Sequence, residues 1–256
     1  MNPIFRTCRI TAERFVVSPL EQELCRKFEV PPPTICPEER LRRLTAFNNF
    51  TNLYRGTCKG SGEKILQIFH PSAPFPVYSV PYWWSEQWNA LDYGVGCDFK
   101  RSFFAQLKEL RDRLPQAALQ TNYTAIENCD YINGANYCKN CYLVFNSTNS
   151  QDCYFCLSLW NCRDCIDSSS CVDSELCYDC TIVYSCYELR RSFNCTNCRE
   201  SSFLWNCIGC SECFACAGLR HTKHCFMNQK LTPEEYRNKI SAIEWDNPEV
   251  VNLHLL

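Results

Sequence analysis

The cysteines of this chain are the residues whose number and spacing suggest chemistry. The sequence has 23 cysteines in 256 residues, and eighteen of them lie between Cys129 and Cys225. The stretch CYFCLSLWNCRDC, residues 153–165, spaces five cysteines at intervals of three, six, three and three residues. Such C-x-x-C pairs are typical of zinc ligands and of redox-active dithiols. The cysteines could therefore have three roles: they could bind metal, take part in disulfide or redox chemistry, or pack in the core.

The spacing favours packing for most of these thiols. All eighteen cysteines fall on one residue in three, and the other fifteen positions of this frame hold only Ser, Leu, Val, Ile, Ala and Thr. Leu159, Val183 and Leu204 occupy positions equivalent to cysteine. A small buried side chain can be exchanged in this way, whereas a metal ligand cannot be replaced by leucine. A strict triplet array also generates C-x-x-C pairs automatically, so metal or redox chemistry stays open for only some of them.

One group of residues has a spacing close to that of a zinc knuckle. Cys213, Cys216, His221 and Cys225 follow C-x2-C-x4-H-x3-C, one residue shorter than the usual knuckle, with His224 as a substitute ligand. Their three cysteines also belong to the packing frame. Further candidate metal ligands in the first half of the chain are Cys8, Cys36 and Cys58. We therefore expect no cofactor, or at most one zinc ion.

The triplet frame predicts the element that positions these side chains. After Cys129, eighteen of the positions that directly precede a frame position hold Asn, Asp, Gly or Ser, which is more than half of these positions. These four residue types tolerate turn conformations. An extended chain that turns at every third residue and points one small side chain inward per triplet suits a parallel β-solenoid. Similar segments recur at shifts of both twelve and twenty-four positions, so the pattern predicts coils of either length over 129–225.

Aromatic side chains follow the same register. Tyr142, Tyr154, Tyr178, Phe214 and Phe226 come directly after frame positions and are separated by multiples of twelve positions. We interpret them as a ladder that covers the solenoid. A platform for stacking bases or sugars is the alternative, but the aspartates of the neighbouring frame would repel nucleic acid.

The regions on either side of the repeat have different compositions. Residues 1–97 are rich in aromatic residues and predict a mixed α/β domain, in which CPEERLRRLTAF forms a short basic helix from Pro37 and YWWSEQW contributes Trp83, Trp84 and Trp88 to the core. Residues 98–128 predict a helical connector that Pro115 ends. In 226–256, Thr232 and Glu235 form a capping box, so we expect a helix that closes the end of the solenoid.

Five segments resemble a known group of proteins: PTICPEERLRRLTAFNN, YWWSEQWNALDYG, DFKRSFFAQLKEL, KNCYLVF and CFACAGLRHTKHCFMNQKLTPEEY. They are similar to uncharacterised cysteine-rich repeat proteins of candidate-phyla bacteria, in which zinc-ribbon-like motifs precede a cysteine-rich repeat. The resemblance spans nearly the whole chain and implies no activity. Such proteins often have Cys-Pro-x-Cys where this chain has Cys36-Pro37-Glu38-Glu39. The resemblance therefore implies a degenerate zinc-ribbon-like domain that has lost its metal.

Charge and hydropathy restrict the cellular setting. The formal net charge of −2 offers no overall attraction to nucleic acid or to anionic lipid. No apolar run approaches the length of a membrane span, and the first residues lack the pattern of a secretory signal. We therefore expect a cytoplasmic protein that does not act at a membrane, and a compartment in which thiols are kept reduced.

Three functions are compatible with the sequence. The one we favour is a non-enzymatic structural or protein-binding scaffold, because it explains the composition without any chemical activity. The first alternative is nucleic-acid binding through a basic concentration in the ribbon-like domain. The second is a metal-thiolate or redox protein. An enzyme is not expected, because no nucleophile–base pair, phosphate-binding loop or small-molecule site is recognisable. The candidate nucleic-acid-binding residues are Arg40, Arg42, Arg43, Arg55 and Lys59, with Lys64 nearby.

Overall fold

A computed structural model describes residues 2–46, 49 and 51–243 of the chain. The fold is mainly β, and the chain divides into two compact units after Asn49. This boundary falls inside the predicted 1–97 domain, since the next hairpin along the chain belongs to the second unit. Among the described helices, none is both long and apolar enough to cross a membrane.

The first unit consists of a β-hairpin followed by two short helices. The antiparallel strands pair Phe5 with Val16, and Cys8, Val17 and Cys36 are buried together in a small core. The predicted basic helix is confirmed, and it begins at Pro37 because proline is favoured at the first helical position. The elements are β1 (Ile4–Thr7), β2 (Arg14–Val17), α1 (Pro19–Lys27) and α2 (Pro37–Thr45).

The second unit begins with a hairpin, a short parallel strand pair and two helices. The predicted connector helix exists and ends before Pro115, but none of its residues is buried, and Phe103 and Phe104 are exposed. Trp84 is also exposed, so the prediction that it contributes to the core is wrong; Trp83 and Trp88 pack against each other, with ring centroids 4.6 Å apart. The elements are β3 (Tyr54–Thr57), β4 (Lys64–Gln67), β5 (Val77–Tyr78), α3 (Val80–Trp83), α4 (Phe103–Arg113) and β6 (Gln116–Ala117).

The cysteine-rich region is a parallel β-solenoid of about eight coils, as predicted. Its strand pairs join Tyr142 with Tyr154 and Cys171 with Val183, for example, each pair one coil apart. The coil length is therefore about 12 residues, the shorter of the two predicted lengths. The strands are β7 (Ile126–Glu127), β8 (Cys138–Lys139), β9 (Tyr142–Phe145), β10 (Tyr154–Trp160), β11 (Ser169–Val172), β12 (Glu175–Tyr178), β13 (Thr181–Tyr184), β14 (Tyr187–Arg190), β15 (Phe193–Thr196), β16 (Arg199–Ser202), β17 (Ser211–Phe214), β18 (Lys223–Phe226) and the antiparallel β19 (Gln229–Lys230).

Each coil turns four times. Every third residue from Asn128 to His224 has a positive φ, and each of these residues directly precedes a position of the inward-facing frame. Asn and Asp suit such turns because they tolerate the left-handed region, and their side chains also bond between coils. The Asn128 amide donates to Asn140 at 2.9 Å, and the Asn140 amide donates to Asp152 at 2.8 Å. Four turns of one triplet each therefore close the coil.

Leu176 occupies one of these turns. A substitution there measures the free-energy cost of placing a leucine at a positive φ. It has φ +54° and is 42% exposed, so its side chain gains little from burial. Replacing Leu176 with Asn is expected to stabilise the protein by about 1 kcal/mol, because Asn adopts the left-handed region at lower cost. Urea unfolding followed by circular dichroism measures the change. Leu157→Asn is the control, since Leu157 is 41% exposed and does not have a positive φ; an equal gain there would contradict the explanation.

The core of the solenoid is the predicted cysteine frame. Seventeen of its eighteen cysteines are buried, and Cys129 in the first coil is half-buried. They pack with Leu159, Val183, Leu189 and other members of the frame in one continuous cluster. The helix α5 (Pro233–Ser241) follows the last coil and has the predicted capping box between Thr232 and Glu235. It lies against β18, where Lys239 Nζ is 5.0 Å from the centre of the Phe226 ring.

Candidate functional site

The buried thiols form hydrogen bonds with the backbone of the coils. The Cys162 thiol lies 3.2 Å from the Trp160 carbonyl oxygen and 3.3 Å from that of Cys171, and its single S–H is shared between these two acceptors. Serine does the same at equivalent positions, since the Ser168 hydroxyl lies 2.9 Å from the Ile166 carbonyl oxygen. Cysteine and serine are therefore interchangeable in the frame because both supply a short side chain with a donor.

The same side chains also accept a hydrogen bond from the next coil. The backbone N–H of Cys180 donates to the Ser168 hydroxyl at 3.3 Å, and that of Cys198 donates to the Cys186 sulfur at 3.4 Å. In each case the donor lies one full coil further along the chain than the acceptor. A buried N–H without an acceptor is costly. This requirement explains why thiols and hydroxyls, rather than alanine and valine alone, occupy the core.

Burial keeps several of these thiols protonated. Desolvation raises the pKa of Cys156 to about 12 and the pKa values of Cys186 and Cys207 to about 11. The thiolate is the form that attacks disulfides and binds metals. These three thiols therefore have the properties of core residues rather than of reactive groups. All 23 cysteines are free thiols in the structure.

The predicted knuckle residues do not come together. Cys213, Cys216 and Cys225 point into the core, whereas His221 is an exposed turn residue whose ring lies over Gly209. The substitute His224 is also a turn residue, and its Nε2 lies 3.1 Å from Glu212 Oε1. Positions in different triplet frames point in different directions, so the linear spacing does not produce a shared site. Over the described residues, no group of three or more His, Cys, Asp or Glu side chains is arranged to hold a metal ion.

In the first unit, Cys8 lies in a turn that stabilises a thiolate. The N–H of Cys8 donates to the Glu13 carbonyl at 2.8 Å, and the N–H of Ala12, at φ +62°, donates to the Cys8 carbonyl at 3.0 Å. Burial opposes ionisation of the Cys8 thiol, but hydrogen bonds from Thr11, Ile10 and the Cys36 backbone lower its pKa to about 6. The Thr11 hydroxyl lies 3.8 Å from the Cys36 sulfur. Two predicted metal-ligating residues, Cys8 and Cys36, therefore share one core.

In the second unit, Cys58 occupies a turn of the same design between β3 and β4. Its N–H donates to the Glu63 carbonyl at 2.9 Å, and the N–H of Gly62, at φ +79°, donates to the Cys58 carbonyl at 2.9 Å. Burial again opposes ionisation, but hydrogen bonds from Ser61 and Ser79 lower the pKa of Cys58 to about 7. A hydroxyl residue thus stands three positions after the cysteine in both turns, where a C-x-x-C pair would have its second thiol.

Restoring the missing thiols of the first unit tests whether it is a degenerate ribbon. The double variant Thr11→Cys, Glu39→Cys has two C-x-x-C pairs, with Cys8 and with Cys36, and is expected to bind one more zinc ion per chain than the wild type. Elemental analysis and cobalt(II) absorption measure the gain. The control pairs Thr11→Cys with Glu38→Cys, which moves one thiol out of the C-x-x-C spacing. Equal zinc content in the two double variants would contradict the ribbon interpretation.

The predicted nucleic-acid-binding residues are partly neutralised. Arg40 Nη1 lies 2.7 Å from Glu21 Oε1, and the Arg42 guanidinium donates two hydrogen bonds to the buried Glu39 carboxylate, at 2.7 and 2.8 Å. Arg43 binds the same carboxylate at 3.1 Å, and Arg42 and Arg43 hold the pKa of Glu39 at about 2. The remaining two candidates, Arg55 and Lys59, belong to the second unit. Helix α2 therefore presents less free positive charge than its sequence indicates.

The predicted aromatic ladder is present but interrupted. Phe214 and Phe226 are stacked with ring centroids 5.0 Å apart, and the rings of Tyr142 and Tyr154 are 6.3 Å apart. The strand register places these residues in one column, in which Ile166 separates Tyr154 from Tyr178. Arg190 and Ser202 interrupt it further along. The column is therefore two short aromatic stacks rather than a continuous platform.

Two opposite sides of the solenoid differ in charge, although charged residues such as Asp173 and Asp179 also lie in the turns between them. Six stacked segments form what we call the uncharged side, and none of them contains Asp, Glu, Lys or Arg: 145–148, 157–160, 169–172, 181–184, 193–196 and 205–208. The segments half a coil away form the charged side and contain nine such residues: 151–154, 163–166, 175–178, 187–190, 199–202 and 211–214. The difference in charge between the two sides can be read from the sequence when the sequence is written in rows of one coil each. The sequence alone did not decide the coil length, so this difference was not predicted.

The uncharged side exposes large side chains to solvent. Leu157, Trp160, Tyr184 and Trp205 are each more than 40% exposed, and the Trp205 ring stacks on Phe193 with centroids 4.5 Å apart.

The charged side exposes Tyr154, Tyr178 and Tyr187 to a similar degree, so the two sides differ in charge rather than in aromatic content. Depletion of charge is typical of the centre of a protein interface. These six segments are therefore the candidate functional site.

Neither protein families nor curated proteins indicate a role for this surface. No family model matches the chain, and no curated protein matches it. The function must therefore be inferred from the geometry and chemistry of the surface.

Proposed function

We propose that the protein is a non-enzymatic scaffold that binds a protein partner through the uncharged side of its solenoid. The observation that carries this proposal is the contrast between the two sides, with no charged residue in six segments and nine in the opposite six. If solvation were the only requirement, charged residues would be expected on every side of the solenoid, because water solvates a charged side chain equally well on each side. Absence of charge from one side supports its burial against another molecule.

The scaffold holds this surface rigid before binding. Its strands pair with neighbours on both edges, and side-chain hydrogen bonds such as Asn149 to Asn161, at 3.1 Å, link successive turns. Trp160 and Tyr184 are outward residues of paired strands, so their backbone positions are set by the register. A preorganised surface loses little conformational entropy on association. This property supports binding rather than a catalytic cycle.

Photo-crosslinking compares the two sides at matched positions. Tyr184 lies on the uncharged side and is 43% exposed, whereas Tyr187 lies on the charged side and is 41% exposed. A photoreactive phenylalanine analogue at position 184 is expected to form a discrete adduct in an extract of the native cells, and the same analogue at position 187 is not. Mass spectrometry identifies the adduct.

Competition establishes that the adduct reports specific binding. An excess of the unlabelled wild-type protein is expected to abolish the adduct at position 184, and an excess of a Trp160→Glu variant is not. Similar adducts at both positions, or a failure to form any at position 184, would contradict the proposed surface. Melting curves of each variant show whether the solenoid remains folded.

A further inference from the structure

We infer that the partner on the uncharged side is a second copy of this chain; the inference rests on the proposed function and names the occupant of the same surface. The uncharged side is a stack of equivalent segments joined at a constant shift of one coil. A twofold axis would place this surface of one copy against the same surface of the other, as in most homodimers. Three properties of the surface support this occupant.

The first property is its period. Large outward side chains recur in columns, such as Trp160, Val172 and Tyr184, at the spacing of adjacent strands, which is about 4.8 Å. A partner helix has a pitch of about 5.4 Å, so over six coils its side chains would drift by about 3 Å out of register. Another solenoid of the same chain has an identical spacing and stays in register along the whole surface.

The second property is the absence of charge. Surfaces that select a different protein commonly use complementary charges, and the uncharged side has none to complement. It also lacks the like-charge repulsion that would oppose self-contact. The charged side differs in this respect, because Glu188 and Glu200 follow one another in a single column of turns. Packing a second copy against that column would bring carboxylates together.

The third property is size. Six segments of four residues cover at most about 29 Å by about 13 Å, which is about 380 Å² for each copy before side-chain relief is counted. The total for two copies, about 760 Å², is below the lower limit of about 1,200 Å² for a standard specific interface and corresponds to a weak, transient contact. The surface therefore fits a reversible dimer rather than an obligate one, and the population of dimer should depend on protein concentration.

Sedimentation velocity of the full chain tests the inference. Cys97 is exposed, so a reductant is included to prevent disulfide-linked dimers. The wild type is expected to change from the mass of one chain to that of two between low and high micromolar concentration. The double variant Trp160→Glu, Tyr184→Glu is expected to weaken the dimer at least tenfold, because buried unpaired carboxylates would face each other. The control Tyr187→Glu should dimerise like the wild type.

The outcomes separate this inference from the proposed function. A wild type that remains monomeric at high micromolar concentration, or a dimer that persists unchanged in the double variant, overturns the inference. In either case, a crosslinked adduct at position 184 that contains a different protein would leave the scaffold proposal standing. An adduct that contains two copies of this chain supports both. Circular dichroism melting verifies that the double variant is folded, and the single variant Trp160→Gln provides a milder perturbation if it is not.

Discussion

Raising the pH from about 8 to about 10.5 is expected to unfold the solenoid cooperatively. The folded-state pKa values of Cys156, Cys186 and Cys207 are raised above the unfolded value of 9.0, to about 12, 11 and 11. Each thiol therefore contributes stability that is complete below pH 9 and is lost as the pH rises through the folded pKa. At about pH 10.5 the loss is about 2 kcal/mol for each thiol, or about 6 kcal/mol for the three.

This loss is comparable to the total stability of a typical domain, which is about 5–15 kcal/mol. Melting temperature followed by circular dichroism across this pH range measures the effect. The triple variant Cys156→Ser, Cys186→Ser, Cys207→Ser is expected to have a shallower pH dependence, because serine does not ionise and the frame already accommodates serine. A wild type whose melting temperature is unchanged at about pH 10.5, or a triple variant with the same slope, would refute the packing explanation.

Replacing Cys171 with Asp is expected to destabilise the solenoid by about 3–5 kcal/mol. Cys171 is fully buried in β11 and pairs with Leu159 and Val183 on the neighbouring strands, so a carboxylate there would have apolar neighbours. Desolvation of an unpaired charge is the dominant cost. Equilibrium unfolding in urea measures the change in the free energy of unfolding.

Two variants in the same strand are the controls for Cys171→Asp. Val172→Asp places the same carboxylate on the outward side of β11, where its cost is expected to stay below about 1 kcal/mol. Cys171→Ser preserves a donor and an acceptor inside, so its cost is also expected to be small. If Cys171→Asp and Val172→Asp destabilise the protein equally, the cysteine frame is not the core.

The local features of the solenoid could be predicted from the sequence because each depends on a single triplet. A narrow coil has room for one small side chain per triplet, so charged residues are absent from the frame that contains Cys171. Turns at every third residue favour Asn, Asp, Gly and Ser, which appear directly before the frame. The capping box at Thr232 is likewise local, because its hydrogen bonds join residues three apart.

Predictions that depended on distant contacts were less successful. The connector helix α4 was predicted correctly, but its sequence cannot show whether another element covers its apolar residues, and Phe103 and Phe104 are exposed. Trp84 was expected in the core as part of the aromatic segment YWWSEQW, and it is exposed as well. The spacing of Cys213, Cys216, His221 and Cys225 resembled a knuckle, yet the triplet geometry directs the histidine away from the thiols.

The sequence by itself determined the solenoid, its inward frame, its turns and its C-terminal cap, because these follow from side-chain size and backbone preference within a few residues. Only the tertiary structure decided between the two coil lengths, since closure after four turns is a property of pairing between coils. That decision assigns every outward residue to a side. The uncharged side that includes Trp160 and Tyr184 can therefore be recognised only once the coil length is known, because residues one coil apart in the chain are then neighbours.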